Sequence, residues 1–240
     1  MTKYIYQNDS YIKSFTAQVT AVDTENHALQ LDQTAFYPGG GGQLPDAGIL
    51  YVNEEVLSLK RARMIKGEHW HFLKEEAVLP GVGEEVQGEI DWERRYKIMR
   101  THTAMHILCG VIFRDYGALV TGGNMDILKA RMDFEFESMS KELVQVIEEA
   151  INKEVQAAHE VWVANLPREE AFKIPDLIRT KINLLPEHIQ QVRTVEIVGL
   201  DLQADGGTHV HNTREVGKIK VVDYKSKGKI NKRIYVELES

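Results

Sequence analysis

Two histidines four residues apart, in the run His102-Thr-Ala-Met-His106, are the first residues in this sequence able to do chemistry together. On a helix, positions i and i+4 share a face about 5–6 Å apart at Cβ, so both imidazoles can reach one ion. Two neutral nitrogens at that spacing suit zinc. No Glu follows the first histidine, so metalloprotease chemistry of the HExxH type is disfavoured. A second group, Asp205-Gly-Gly-Thr-His209, stands about 100 residues downstream. Its glycines mark a tight turn that folds both side chains toward one point. Carboxylate and imidazole are both zinc ligands, and catalytic zinc commonly takes three protein ligands and keeps one position open. His102, His106 and His209 meet that count. Asp205 is then a fourth ligand, an orienting partner of His209, or a group that positions water. His211 alternates to the opposite face of any strand beginning at His209 and is set aside. Cys109 shares nearly the same helix face as the histidine pair, but it lies in the apolar run ILCGVIF and reads as buried packing.

Two further segments carry polar chemistry. In Phe36-Tyr-Pro-Gly-Gly-Gly-Gly-Gln43-Leu-Pro-Asp46, four glycines let backbone N–H groups approach a ligand or another backbone closely. No Gly-Lys-Ser/Thr follows, so the loop is not a phosphate-binding P-loop. The anchors at its two ends, aromatic on one side and Gln43 and Asp46 on the other, suggest a packed, specific loop. Arg214 to Arg233 holds eight Lys or Arg against two acids, a local charge of +6. Such a face is the footprint of phosphate-backbone binding, with Arg214, Lys225, Lys227, Lys229, Lys232 and Arg233 as candidates.

These residues need elements to position them. Short alternating runs separated by Asp, Asn and Gly fill the chain up to about residue 90 and predict a small antiparallel β-barrel or sandwich. Asp91 then caps a helix of about two dozen residues that carries the histidine pair and stops at Gly117. A strand is expected at Lys129–Glu137. A helix opened by Ser140 follows, with Leu143, Ile147, Ala150 and Ile151 on one face. Beyond it come a strand at VWVANL, a short helix from Pro167 to Lys173, a Pro-rich connection, and strands at VRTVEIVG, KIKVVDYK and RIYVELE. Mixed helices and antiparallel strands imply α+β, giving two domains, 1–90 and 91–240.

Composition bounds these readings. The 240 residues are 43% hydrophobic and 27% charged, close to the globular average, which sets disorder aside. One cysteine excludes an intramolecular disulfide framework and suits a reducing compartment. No apolar run reaches transmembrane length, and the start lacks the apolar core of a signal peptide, so a cytoplasmic protein with no membrane partner is expected. The net charge of −7 argues at first against nucleic acid, yet the basic segment leaves −13 on the other 220 residues. Charge is segregated along the chain.

HTAMH at 102–106, DGGTH at 205–209 and LDQTAFYPGGGGQLPDAG at 31–48, in that order, resemble the freestanding alanyl-tRNA editing proteins of the AlaX family. These are relatives of the editing domain of alanyl-tRNA synthetase and, more distantly, of threonyl-tRNA synthetase. The glycine-rich N-terminal unit resembles the medium-length group. The resemblance implies a small β-barrel followed by an α+β editing domain holding one zinc ion. It also implies zinc-assisted hydrolysis of the ester that joins serine, and glycine too, to the acceptor end of alanine tRNA. His102, His106 and His209 match the family's zinc-binding histidines, while Asp205 stands where a zinc-binding cysteine is often found. Alanine is smaller than serine and cannot be kept out by size, so a site must recognise the serine hydroxyl by hydrogen bonding. Thr34 and Gln43, flanking the glycine loop, are the candidates for that role, alongside Asp205 as a catalytic group. A tRNA- or synthetase-binding module that kept the fold without catalysis, and a small-ester or amide hydrolase using the same zinc site, are the competing readings. The basic segment favours the first two readings over the last.

Overall fold

Runs in which apolar and polar residues largely alternate form strands of the N-terminal unit, because successive side chains point to opposite faces of a sheet. The computed structural model describes residues 2–53, 55–74, 78–181, 185 and 189–239. The chain divides into two compact units, Met1–Tyr96 and Lys97–Ser240.

In the first unit, β1 (Lys3–Tyr4) pairs in parallel with β4 (Gln33–Thr34). The strands β2 (Ser14–Asp23), β3 (Ala28–Leu31), β5 (Gly48–Val52), β6 (Glu55–Ile65), β7 (Glu68–Leu73) and β8 (Glu85–Ile90) close an antiparallel barrel in the order β2-β3-β7-β6-β5-β8. In β2 the inward residues are Phe15, Ala17 and Val19. Leu29, Leu31, Phe36, Leu50, Leu59 and Leu73 complete the core with them. Burying each such side chain contributes about 1.5–3 kcal/mol. Closure leaves the barrel without a free edge.

The second unit contains most of α1 (Trp92–Tyr116), then β9 (Val120–Asp126), β10 (Lys129–Glu135), α2 (Lys141–Ala157), β11 (Val161–Pro167) and α3 (Arg168–Ala171). It ends with β12 (Gln191–Ile197), β13 (Asp201–Ala204), β14 (Ile219–Ser226) and β15 (Asn231–Leu238). The strands form two antiparallel sheets, ordered β14-β15-β10-β9 and β11-β12-β13. The fold class is therefore α+β. Asp91 caps α1 by accepting a hydrogen bond from the Arg94 N–H at 3.1 Å, and Gly117 ends it with its N–H on the Phe113 carbonyl at 2.9 Å. Residues 101–112 of α1 are all buried.

Ser140 Oγ accepts from the Leu143 N–H at 3.2 Å and opens α2. The buried stripe of that helix is Val144, Ile147, Ile151 and Val155, rotated from the face expected through Leu143 and Ala150, which are only half-buried. Asn152 fastens α2 to the edge strand β14 by bonding both the N–H and the carbonyl of Ile219, at 3.0 and 2.7 Å. Two strands escaped the sequence reading. β9 contains Gly122-Gly123, which lowers its strand propensity, and β13 is only four residues long. Part of the Pro-rich connection lies outside the described residues. No helix among the described residues is long and apolar enough to cross a membrane.

Candidate metal centre

Helical periodicity brings His102 and His106 to one face of α1, with ring centroids 5.2 Å apart. The turn after β13 carries the other half of the site. There the Asp205 N–H bonds the Arg193 carbonyl at 3.1 Å, and Asp205 Oδ1 accepts from the Gly207 N–H at 2.7 Å, so the carboxylate caps its own turn. That turn lays His209 against the helix, its ring 4.2 Å from His102 and 4.7 Å from His106. One ligand atom from each of His102, His106, Asp205 and His209 lies within 4.8 Å of the others, a set that could hold a metal ion.

The donor set fits a metal by orientation as well as by type. The Nε2 atoms of His209, His102 and His106 lie 3.0, 3.5 and 3.9 Å from the Asp205 carboxylate and converge on one place. For Nε2 to bind a cation, Nδ1 must carry the proton, and acceptors stand ready on the far side. His106 Nδ1 is 3.2 Å from Asp201 Oδ2, and His209 Nδ1 is 3.2 Å from Thr103 Oγ1. His102 is hydrogen-bonded to the backbone of Thr208. Asp205 meets the inward nitrogen of His209, so it belongs to the converging set and is not an orienting partner behind the ring.

Electrostatics in the cluster follow from crowding. Burial pushes His102 down to about 4, although Asp205 opposes the shift. Burial also acts to lower His106, but hydrogen bonds to Asp201 and Asp205 outweigh it and lift the group to about 9. Burial and the neighbouring His102 hold His209 well below the usual histidine range. Burial works to raise Asp205, and the surrounding imidazoles overcome it, leaving the carboxyl well below its usual range and ionised. The Asp205 side chain is 17% exposed against 2–7% for the three histidines, so the carboxylate is the most open edge of the cluster. Cys109 is buried outside this group, its thiol pushed up by burial and bonded to the Gln203 side chain.

Two other candidates belong to the first unit. Thr34 and Gln43, in the first unit, are both buried. Thr34 Oγ1 lies 2.9 Å from His71 Nε2 and accepts from the Phe36 N–H at 3.1 Å. Gln43 and Gly40 exchange both backbone hydrogen bonds across the glycine loop, at 2.9 and 3.1 Å. Gly39 to Gly42 all have positive φ, between +56° and +129°, a path that side chains would resist. Asp46 pins the loop. It accepts from the Tyr37 N–H at 2.5 Å and from Arg95 Nε at 2.7 Å, and Arg95 also binds the carbonyls of Ala35 (2.6 Å) and Ser10 (3.0 Å). Arg95 is fully buried, and this clamp explains why the first unit extends to Tyr96, past the composition shift at residue 90.

In the basic segment, Arg214, Lys225, Lys227 and Lys229 are exposed, with Lys225 paired to Asp223 at 3.0 Å. Lys232 is buried and donates to the carbonyls of Gly228 and Lys229, each at 3.0 Å, so it closes the β14–β15 turn instead of facing solvent. Arg233 is held in a two-pronged pair with Asp133 at 2.6 and 2.8 Å. Asp201, Thr103, His71 and Arg95 were not singled out from sequence. Thr103 sits inside the histidine motif and Asp201 four residues before Asp205, but neither advertises a role without a partner in space.

Comparison with known proteins adds names to this geometry. Residues 192–235 match the family described as Threonyl and Alanyl tRNA synthetase second additional domain, and residues 4–94 match tRNA synthetases class II (A). The chain is 43% identical over 240 residues to the alanyl-tRNA editing protein AlaX-M of Saccharolobus solfataricus, covering 98% of both chains. It is 36% identical over 244 residues to AlaX-M of Methanosarcina mazei, covering 99% of this chain and 97% of that one. The alanine–tRNA ligase of Ignicoccus hospitalis is 34% identical over 227 residues, which are 92% of this chain and 24% of the ligase.

Proposed function

The chain belongs to the AlaX family of alanyl-tRNA editing proteins, and from that premise we propose that it hydrolyses the ester of mischarged alanine tRNA, releasing serine and also glycine. The observation that carries this reading is the convergence of three imidazole nitrogens and one carboxylate on a single place. His102, His106 and His209 would hold zinc, with Asp205 beside them. Zinc held there would supply Lewis-acid chemistry toward the ester.

The chain's own groups do the rest. Asp205 is ionised and the most exposed group of the four, so it can accept a hydrogen bond from a water and aim it at the ester carbon. An aminoacyl ester is already activated, and positioning of this kind is worth several orders of magnitude without a covalent nucleophile. Thr34 and Gln43 recognise the serine hydroxyl in this proposal, a contact that a correct alanyl ester cannot make. Arg214, Lys225, Lys227 and Lys229 are exposed and would offer positive charge to the phosphates of tRNA(Ala), Lys225 while sharing its charge with Asp223. Lys232 and Arg233, the other two candidates, already hold the Gly228 carbonyl and Asp133, and would contribute less.

Deacylation of Ser-tRNA(Ala), Gly-tRNA(Ala) and Ala-tRNA(Ala) tests the reading. Release of serine and glycine with alanine left in place is expected, falling at least 100-fold in His102→Ala and His106→Ala. Undiminished hydrolysis in both variants would sink the metal-site assignment. Binding of tRNA without hydrolysis by the wild type would favour the module that lost catalysis.

A further inference from the structure

We propose that Asp201 is the positioning residue of the metal centre and makes His106 its anchoring ligand; the inference rests on the zinc reading above. The three imidazoles differ in what holds their far side. His209 has a hydroxyl, from Thr103, at its Nδ1, and His102 bonds the backbone of Thr208. His106 has a carboxylate, from Asp201. A carboxylate behind a ligating histidine fixes the ring, keeps the proton on the far nitrogen and strengthens the near nitrogen as a donor. Asp201 is itself locked. Its side chain is fully buried, Oδ2 accepts from Gln203 Nε2 at 2.6 Å, and Oδ1 faces Arg179 Nε at 3.4 Å. The Arg179 guanidinium in turn lies over the Phe113 ring at 3.8 Å.

A second observation comes from α1. Gly110 lies one helical turn after His106, in a helix interior where glycine costs about 1 kcal/mol relative to alanine. A Cβ at that position would stand 2.9 Å from Asp201 Cβ and 3.0 Å from Leu200 Cγ. The close approach of the β13 start to the helix therefore requires the glycine, and that approach is what brings the carboxylate to His106. A helix built only for stability would not place glycine there.

Zinc affinity of the full chain, measured by competition with a chromophoric chelator, tests the proposal. Asp201→Ala is expected to weaken binding 10- to 100-fold, with Asp201→Asn and Gly110→Ala also weakening it and Thr103→Ala weakening it less. Among the ligands, His106→Ala should lose more affinity than His102→Ala or His209→Ala. Cobalt substitution supplies a readout that general destabilisation does not move: a changed visible spectrum in Asp201→Asn whose metal-free form unfolds at the wild-type temperature. If Asp201→Ala does not fold, the Asn and Gly110→Ala variants carry the test. Wild-type zinc affinity in Asp201→Asn and Gly110→Ala, or a larger loss in Thr103→Ala, overturns the proposal. A wild type that binds no zinc overturns both it and the reading it rests on.

Discussion

A carboxylate surrounded by three imidazoles can serve a metal only while it stays charged, and Asp205 does so because its neighbours outweigh the penalty of burial. Replacing it tests two roles at once. Asp205→Ala should lower the zinc content of the purified protein and slow serine release, while Asp205→Cys, a thiolate donor of the same charge, should restore zinc. Equal zinc in wild type and Asp205→Ala, read by elemental analysis, would reject ligation and leave Asp205 with water alone. The same residue also caps its own turn through the Gly207 N–H, so Asp205→Asn separates charge from geometry.

At the scale of elements, α1 begins at the glycine loop and continues into the histidine pair. Arg95, on its first turns, is buried against Asp46, Ala35 and Ser10. Removing one partner of a buried pair leaves the other charged and unsatisfied, so Asp46→Ala should destabilise the protein by about 3–5 kcal/mol in denaturant unfolding. A loss below about 1 kcal/mol would show that the loop is held by other means. How much of this could be read beforehand depends on the range of each interaction. Asp91, Gly117 and Ser140 act on residues three or four positions away, so both long helices were legible with their ends. The ligands were legible because HTAMH and DGGTH are local patterns. The Arg95–Asp46 pair spans 49 positions and the His106–Asp201 pair 95, and no local signal announces either. β9 was hidden for a different reason: Gly122 and Gly123 lower its strand propensity, and its pairing with β10 overrides that.

For the whole molecule, charge and protonation set the working conditions. The +6 of the basic segment overstates what a polyanion would meet, because Lys232 and Arg233 are occupied internally. Acid sensitivity resides partly in the barrel. Burial pushes His71 down to about 4, and burial with the neighbouring His71 pushes His69 down to about 2; both His69 nitrogens lack a hydrogen-bond partner among the described residues. Unfolded histidine binds a proton near pH 6.5, whereas these stay neutral, so below that pH the unfolded chain holds more protons and stability falls as pH falls. The loss runs from about pH 6.5 down toward 4 and amounts to about 2 kcal/mol per histidine at pH 5. His69→Phe should therefore lose less stability than the wild type between pH 7 and pH 5, measured by urea unfolding, and an identical loss would assign the sensitivity elsewhere. The two halves of the metal centre sit on α1 and on the turn after β13, about 100 residues apart in the chain. An ion bridging them is a clasp on a long loop, and such loops gain the most from closure. Because the unfolded chain has no such clasp, the binding energy is also folding energy for the second unit. With zinc bound as proposed, its supply would set how much of the folded protein persists, and not only how fast each copy works.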